Sequence, residues 1–168
     1  MPEDPERKAG IIACSGEELA EGTVSRLAAL KVLDSLRPHD TVTLCLPLFV
    51  AGGSEDRTFA RLHPTITVDG CDLRCAARAT ELYSNKPAVS LVVNELVAER
   101  QLGKPEGRRQ LNDAGKQAVE VTAERLAELV DTVLGQARPV SDAAGGAGAP
   151  AQREKGGGNC ACRSGSAA

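Results

Sequence analysis

Thr65-Ile-Thr-Val-Asp69, followed without a gap by Gly70-Cys-Asp-Leu-Arg-Cys75, decides how the chain is read. The first five residues are mostly β-branched and suit a buried strand. Gly70 permits a sharp turn, and Asp69 or Asp72 supplies a cap. Leu73, Ala76, Ala77 and Thr80 then carry a helix to about Tyr83. A strand that breaks directly into a helix is the unit of an α/β fold, and this one puts Cys71 and Cys75 at the mouth of its turn.

The same alternation runs outward in both directions. Gly10-Ile-Ile-Ala-Cys14 reads as a strand, and Val24, Leu27, Ala28, Leu30, Val32 and Leu33 recur at helical spacing from Gly22 to Leu36, with Pro38 as a stop. Thr41-Val-Thr-Leu-Cys-Leu46 is a second strand ending at Pro47, and Glu55 to Leu62 is a short helical candidate. Beyond Asn85-Lys-Pro87, Ala88-Val-Ser-Leu-Val-Val93 is a fourth strand, with a helix from about Asn94 to Gln101. Asn112 or Asp113 starts a last long helix whose Ala118, Val121, Leu126, Leu129, Val130 and Val133 form the apolar stripe. The expected fold is α/β: an open, mostly parallel sheet of about four strands with helices on both faces.

At 168 residues the chain suffices for one domain with a real core, so no metal is needed merely to fold it. That domain is expected over residues 10–137, between a charged leader (1–9) and a Gly/Ala-rich tail (138–168) that ends in Cys160-Ala-Cys162 and is expected to be disordered. A net charge of −3 with both signs interspersed argues against nucleic acid, as do two Phe, one Tyr and no Trp. The charged N-terminus lacks the apolar core of a signal peptide, and no apolar run approaches the roughly 20 residues of a membrane span. The expectation is a cytoplasmic protein. In that compartment six cysteines point to metal binding or redox chemistry rather than disulfides; buried, inert thiols are the plain alternative.

Ligands of open α/β sheets sit at the carboxyl ends of the strands. Cys14 ends the first expected strand, Cys45 lies one residue from the end of the second, and Cys71 and Cys75 follow the third. All four point to one edge. Zinc takes four tetrahedral ligands with thiolate sulfur at about 2.3 Å, and a Cys-x₂₋₄-Cys pair supplies two of them from one turn. Cys71 and Cys75 meet that spacing, and in a helical turn their side chains share a face. A helix N-terminus, with Arg74 or Arg78 nearby, favours thiolate. The expected site is thus Cys14, Cys45, Cys71 and Cys75 around one Zn²⁺ or another soft ion, with Asp69 and Asp72 orienting the turn. Its role is structural, sensory or metal-handling.

His63 is a candidate substitute ligand, and His39 falls at the wrong end of a strand. Cys160 and Cys162 form a possible mobile dithiol for exchange with a metal donor or redox partner. The competing reading is a thiol-dependent oxidoreductase with Cys75 as nucleophile and Cys14 or Cys71 as resolving thiol, although the thioredoxin-type Cys-x-x-Cys spacing is missing. The loop Ser15 to Thr23 resembles an anion cradle only in having glycine before a helix; Glu17, Glu18 and Glu21 oppose that use.

Thr67-Val-Asp-Gly-Cys-Asp-Leu-Arg-Cys75, the Cys14-Ser-Gly16 turn and Val42-Thr-Leu-Cys45, taken in order, resemble the DGC-domain family of zinc-binding proteins, named for the Asp-Gly-Cys motif that stands here at Asp69, Gly70 and Cys71. The likeness spans roughly residues 10–100. It implies a small domain whose four cysteines, here Cys14, Cys45, Cys71 and Cys75, bind zinc. It supplies neither a substrate nor a role for Cys160 and Cys162.

Overall fold

Strands and helices alternate along the chain, and the computed structural model describes residues 8–16 and 18–135. The expected tail with Cys160 and Cys162 lies outside the described residues. The strands are β1 (Ala9–Ala13), β2 (Thr41–Thr43), β3 (Thr65–Asp69) and β4 (Val89–Val92). The helices are α1 (Ala20–Lys31), α2 (Leu46–Ala51), α3 (Phe59–Leu62), α4 (Cys75–Tyr83), α5 (Val93–Glu99) and α6 (Asp113–Leu134). All strand pairs are parallel and the order is β2-β1-β3-β4. Ile11 pairs with Thr43 on one side and with Ile66 on the other, which fixes the register of β2, β1 and β3.

Helices cover both faces, because successive side chains of a strand point to opposite sides. Ile11, Ile66 and Val68 pack with Val24 and Ala28 of α1, Val93 of α5, and Leu126 and Val130 of α6. Ile12 points the other way, into a smaller cluster with Phe49 of α2 and Ala76 of α4, flanked by Phe59 and Tyr83. Ile11 and Ile12 are both fully buried, as a central parallel strand requires. Asn112 accepts the Gly115 N–H at 2.8 Å and so caps α6.

Several elements depart from the sequence expectation. β2 stops at Thr43, and Pro47 sits in the first turn of α2, where its missing N–H leaves no helical bond unmade. α1 does not run regularly to Leu36; Val32–Leu36 form a wider π-type turn in which the Arg37 N–H bonds the Val32 carbonyl at 2.8 Å. On α6 the buried set includes Thr122, Ala123, Ala127 and Asp131, while Val121 is only half-buried. A carboxylate on that face is explained by the π-type turn, which delivers Arg37 to it. Arg37 Nε and Nη2 donate to Asp131 Oδ1 and Oδ2 at 2.7 and 2.6 Å, and both residues are buried.

Candidate metal centre

The strand order brings the cysteines onto neighbouring strand ends. β1 is flanked by β2 and β3, and the chain visits β2 on one side before crossing to β3 on the other. That reversal is a topological switch point, where the loops leaving two adjacent strands diverge and open a crevice. Cys14 follows β1 directly, and its N–H bonds the Val68 carbonyl of β3 at 2.8 Å. Cys45 immediately precedes α2, Cys71 lies two residues beyond β3, and Cys75 opens α4. Cys14 is thus the middle member: Cys45 lines a groove with it on the β2 side, and Cys75 senses its charge from the β3 side.

The Asp-Gly-Cys motif acquires a separate job for each residue. Asp69 is 1 % exposed and turns its carboxylate onto the first turn of α4, accepting the Ala76 N–H at 2.7 Å and the Ala77 N–H at 3.1 Å. These are two of the donors that a helix start leaves unpaired. Burial pushes the Asp69 carboxyl above the usual carboxylate range, opposed by the bonds from Ala76 and Ala77 and by the charge of Arg74.

Gly70 is needed for a reason other than the sharp turn expected of it, since its φ is not positive. A Cβ on Gly70 would stand 2.5 Å from the backbone nitrogen of Gly22 and 2.7 Å from its Cα. A Cβ on Gly22 would in turn stand 2.8 Å from the Cα of Gly16. The three glycines let the turns after β1 and β3 close on the start of α1, and backbone atoms cannot give way there.

Cys71 to Arg74 form a hydrogen-bonded turn, Arg74 N–H to Cys71 carbonyl at 3.1 Å, with Arg74 left-handed at φ 51°. The expected helical i,i+4 relation of Cys71 to Cys75 is therefore replaced by a turn that folds Cys71 back beside the helix start. α5 holds this turn from outside. The Asn94 N–H donates to the Gly70 carbonyl at 3.2 Å, Asn94 Nδ2 to Asp72 Oδ1 at 3.3 Å, and Arg74 pairs with Glu95 at 3.0 Å.

The electrostatics correct a second expectation. The N-terminus of α4 is taken by the Asp69 carboxylate, and the Arg74 guanidinium is turned to Glu95. Although Cys75 is exposed as a residue, its thiol is pushed above the ordinary thiol range, first by desolvation, then by the charges of Cys14, Asp69 and Cys71, with only its own backbone N–H acting the other way.

All four thiols are free; Cys14 and Cys71 are half-buried, and Cys45 and Cys75 exposed. Among the described residues no three His, Cys, Asp or Glu side chains are grouped closely enough to hold one ion as they stand. The four therefore share an edge without forming a closed cage. Their chemistry nevertheless fits a soft cation: the mutual repulsion that opposes ionising Cys75 beside Cys14 and Cys71 is reversed by a positive ion among them. His63 does not join them. It precedes β3 at the amino edge of the sheet, with Nδ1 3.2 Å from the Lys8 carbonyl oxygen.

Sequence reasoning missed Gly16, Gly22 and Asn94 as supports of the turn. Gly22 carried a signal, being a glycine in a helical first turn, which often marks close packing. Asn94 carried none, because only the tertiary fold lays α5 against Gly70. Replacing Asp69 by Ala is expected to destabilise the protein by about 2 kcal/mol, since a cap is lost and a buried N–H is left unmade. Urea unfolding at neutral pH measures it, with Asp69→Asn expected to recover part of the loss through its one remaining acceptor.

A family model described as the DGC domain matches residues 10–133. No curated protein matches the chain, and neither does any solved structure. Among the described residues no helix is long and apolar enough to cross a membrane.

Proposed function

The chain belongs to the DGC domain family, and from that premise we propose that it binds a soft, thiophilic metal ion, most simply one zinc, through Cys14, Cys45, Cys71 and Cys75. The observation that supports this reading is the strand order β2-β1-β3, with cysteines at or just beyond the ends of three adjacent strands. In this reading Asp69 and Asn94 hold the Cys71 turn, and a bound cation offsets the negative charge that otherwise opposes ionising Cys75. Four thiolates leave no open position on a tetrahedral ion, so the role is structural, sensory or metal-handling rather than catalytic. The oxidoreductase alternative requires a thiol lowered towards neutrality, and the surroundings of Cys75 push the other way.

Protein purified under reducing conditions without added metal is expected to carry about one zinc per chain, as a single tetrahedral site requires. Cys71→Ser and Cys75→Ser should each abolish that content while circular dichroism stays unchanged. Absence of metal from the folded, reduced protein, together with a reversible Cys14–Cys75 disulfide, would transfer the site to thiol redox chemistry. Truncation after Arg138 tests the tail: unchanged zinc content and uptake rate would leave Cys160 and Cys162 without a part in metal exchange.

A further inference from the structure

A second feature lies against the Cys14 loop, and the metal reading does not use it. Gly16, Arg26, Arg108 and Arg109 line a cavity of about 700 Å³. The three arginines come from distant parts of the sequence, Arg26 from α1 and the other two from the connection before α6. Among the described residues none of their guanidinium groups makes an ion pair or a hydrogen bond, and no described carboxylate lines the cavity. In a chain of net charge −3 the described residues gather here a local concentration of positive charge.

The arrangement is braced from the backbone. The Thr23 hydroxyl, on a residue 1 % exposed, lies 2.5 Å from the Arg108 carbonyl oxygen and 3.1 Å from that of Gly16, tying the arginine loop to the turn after β1. Asn112 ties the same connection to α6: its Oδ1 accepts the Glu106 N–H at 3.2 Å and its Nδ2 donates to the Lys104 carbonyl at 3.1 Å. Of the three glutamates around this loop, Glu18 and Glu21 are not among the lining residues, and Glu17 lies outside the described residues. What the sequence of the loop does not show is that the tertiary fold brings cations to it from residues 108 and 109.

Arg26 also lines a second, mostly apolar groove of about 340 Å³, with Leu30, Leu33, Leu44, Leu46 and the two thiols Cys14 and Cys45. A ligand with its charge in the arginine cavity has beside it, across Arg26, an apolar groove that both thiols also line. We propose that Arg26, Arg108 and Arg109 form an anion subsite for the carboxylate or phosphate of a small organic anion, whose apolar remainder lies in the groove beside Cys14 and Cys45. Guanidinium groups suit both oxyanions through paired N–H donors.

The test uses the full chain and calorimetric titration at low salt with octanoate, acetate and inorganic phosphate. Octanoate is expected to bind more tightly than acetate, by about fourfold for each methylene that the groove fully buries. Arg26→Gln and the double variant Arg108→Gln/Arg109→Gln should weaken octanoate and phosphate about tenfold, with zinc content unchanged. Leu30→Gln should weaken octanoate alone. Absence of saturable binding by any probe, or binding that the arginine variants leave intact, overturns the subsite. Equal affinities for acetate and octanoate overturn the assignment of the groove. Because zinc is measured on the same samples, failure of the anion site and failure of the metal site read out separately.

Discussion

Asp131→Ala is expected to lower stability by about 3 to 5 kcal/mol, the loss typical of breaking a buried ion pair by removing one partner. The Arg37 guanidinium is 6 % exposed as a residue and makes two short bonds to the Asp131 carboxylate, so the variant strands a charge that cannot be neutralised by deprotonation. Urea denaturation at pH 7 measures the change as a fall in midpoint. Asp131→Asn should be nearly as damaging, because the paired carboxylate is lost and the weaker pull of Asp40 does not replace it. The double variant Arg37→Met/Asp131→Leu should recover most of the loss, since an apolar pair of similar volume often matches a buried ion pair. If the single and double variants lose equally, packing rather than charge holds this junction. The pair sits away from the thiols, so zinc content in the folded double variant is expected to stay as in the parent.

Gly70→Ala is expected to destabilise by about 3 kcal/mol, at the upper end of ordinary overpacking, because the three atoms nearest the new Cβ are all backbone. Those atoms belong to Glu21 and Gly22 at the start of α1, so relief requires moving either that helix or the turn that carries Cys71. The variant therefore carries a second expectation: reduced metal affinity at temperatures where it remains folded, with Cys71 displaced from Cys14. Competition with a chromogenic chelator measures this, beside a thermal melt. Gly53→Ala serves as the control, since a Cβ there meets nothing within 4 Å. Stability lost with affinity intact would mean that the glycine contact holds the fold and not the site.

Much of the fold was legible because it rests on local signals. The β-branched run at Thr65–Asp69 and the short apolar run around Ile11 and Ile12 are strands, and the abrupt change from Asp69 to the α4 pattern is a strand-to-helix turn. Boundaries failed where one residue served two elements. Pro47 suits the end of a strand by sequence but stands in the first turn of a helix, because the φ that proline fixes suits that turn equally well. The π-type turn at Val32–Leu36 has no sequence signature. The ion pair that it makes possible joins Arg37 to a residue 94 positions away.

The candidate site divides in the same way. That Cys14, Cys45, Cys71 and Cys75 fall at one edge of a parallel sheet follows from the sequence alone, because each stands at or just beyond the end of a strand and parallel strands end together. Which strands are neighbours does not follow, since hydrogen bonding between strands is blind to chain order. Only the tertiary structure made β1 central and Cys14 the thiol that stands between Cys45 and Cys75. It also decided that the positive end of α4 faces Asp69 and not a cysteine, and that three arginines remote in sequence meet beside Gly16. The physical reason is common to all three. Local sequence sets periodicity, turns and caps through contacts within a few residues, whereas the electrostatic surroundings of a thiol depend on which charges packing brings within several ångströms, wherever they lie along the chain.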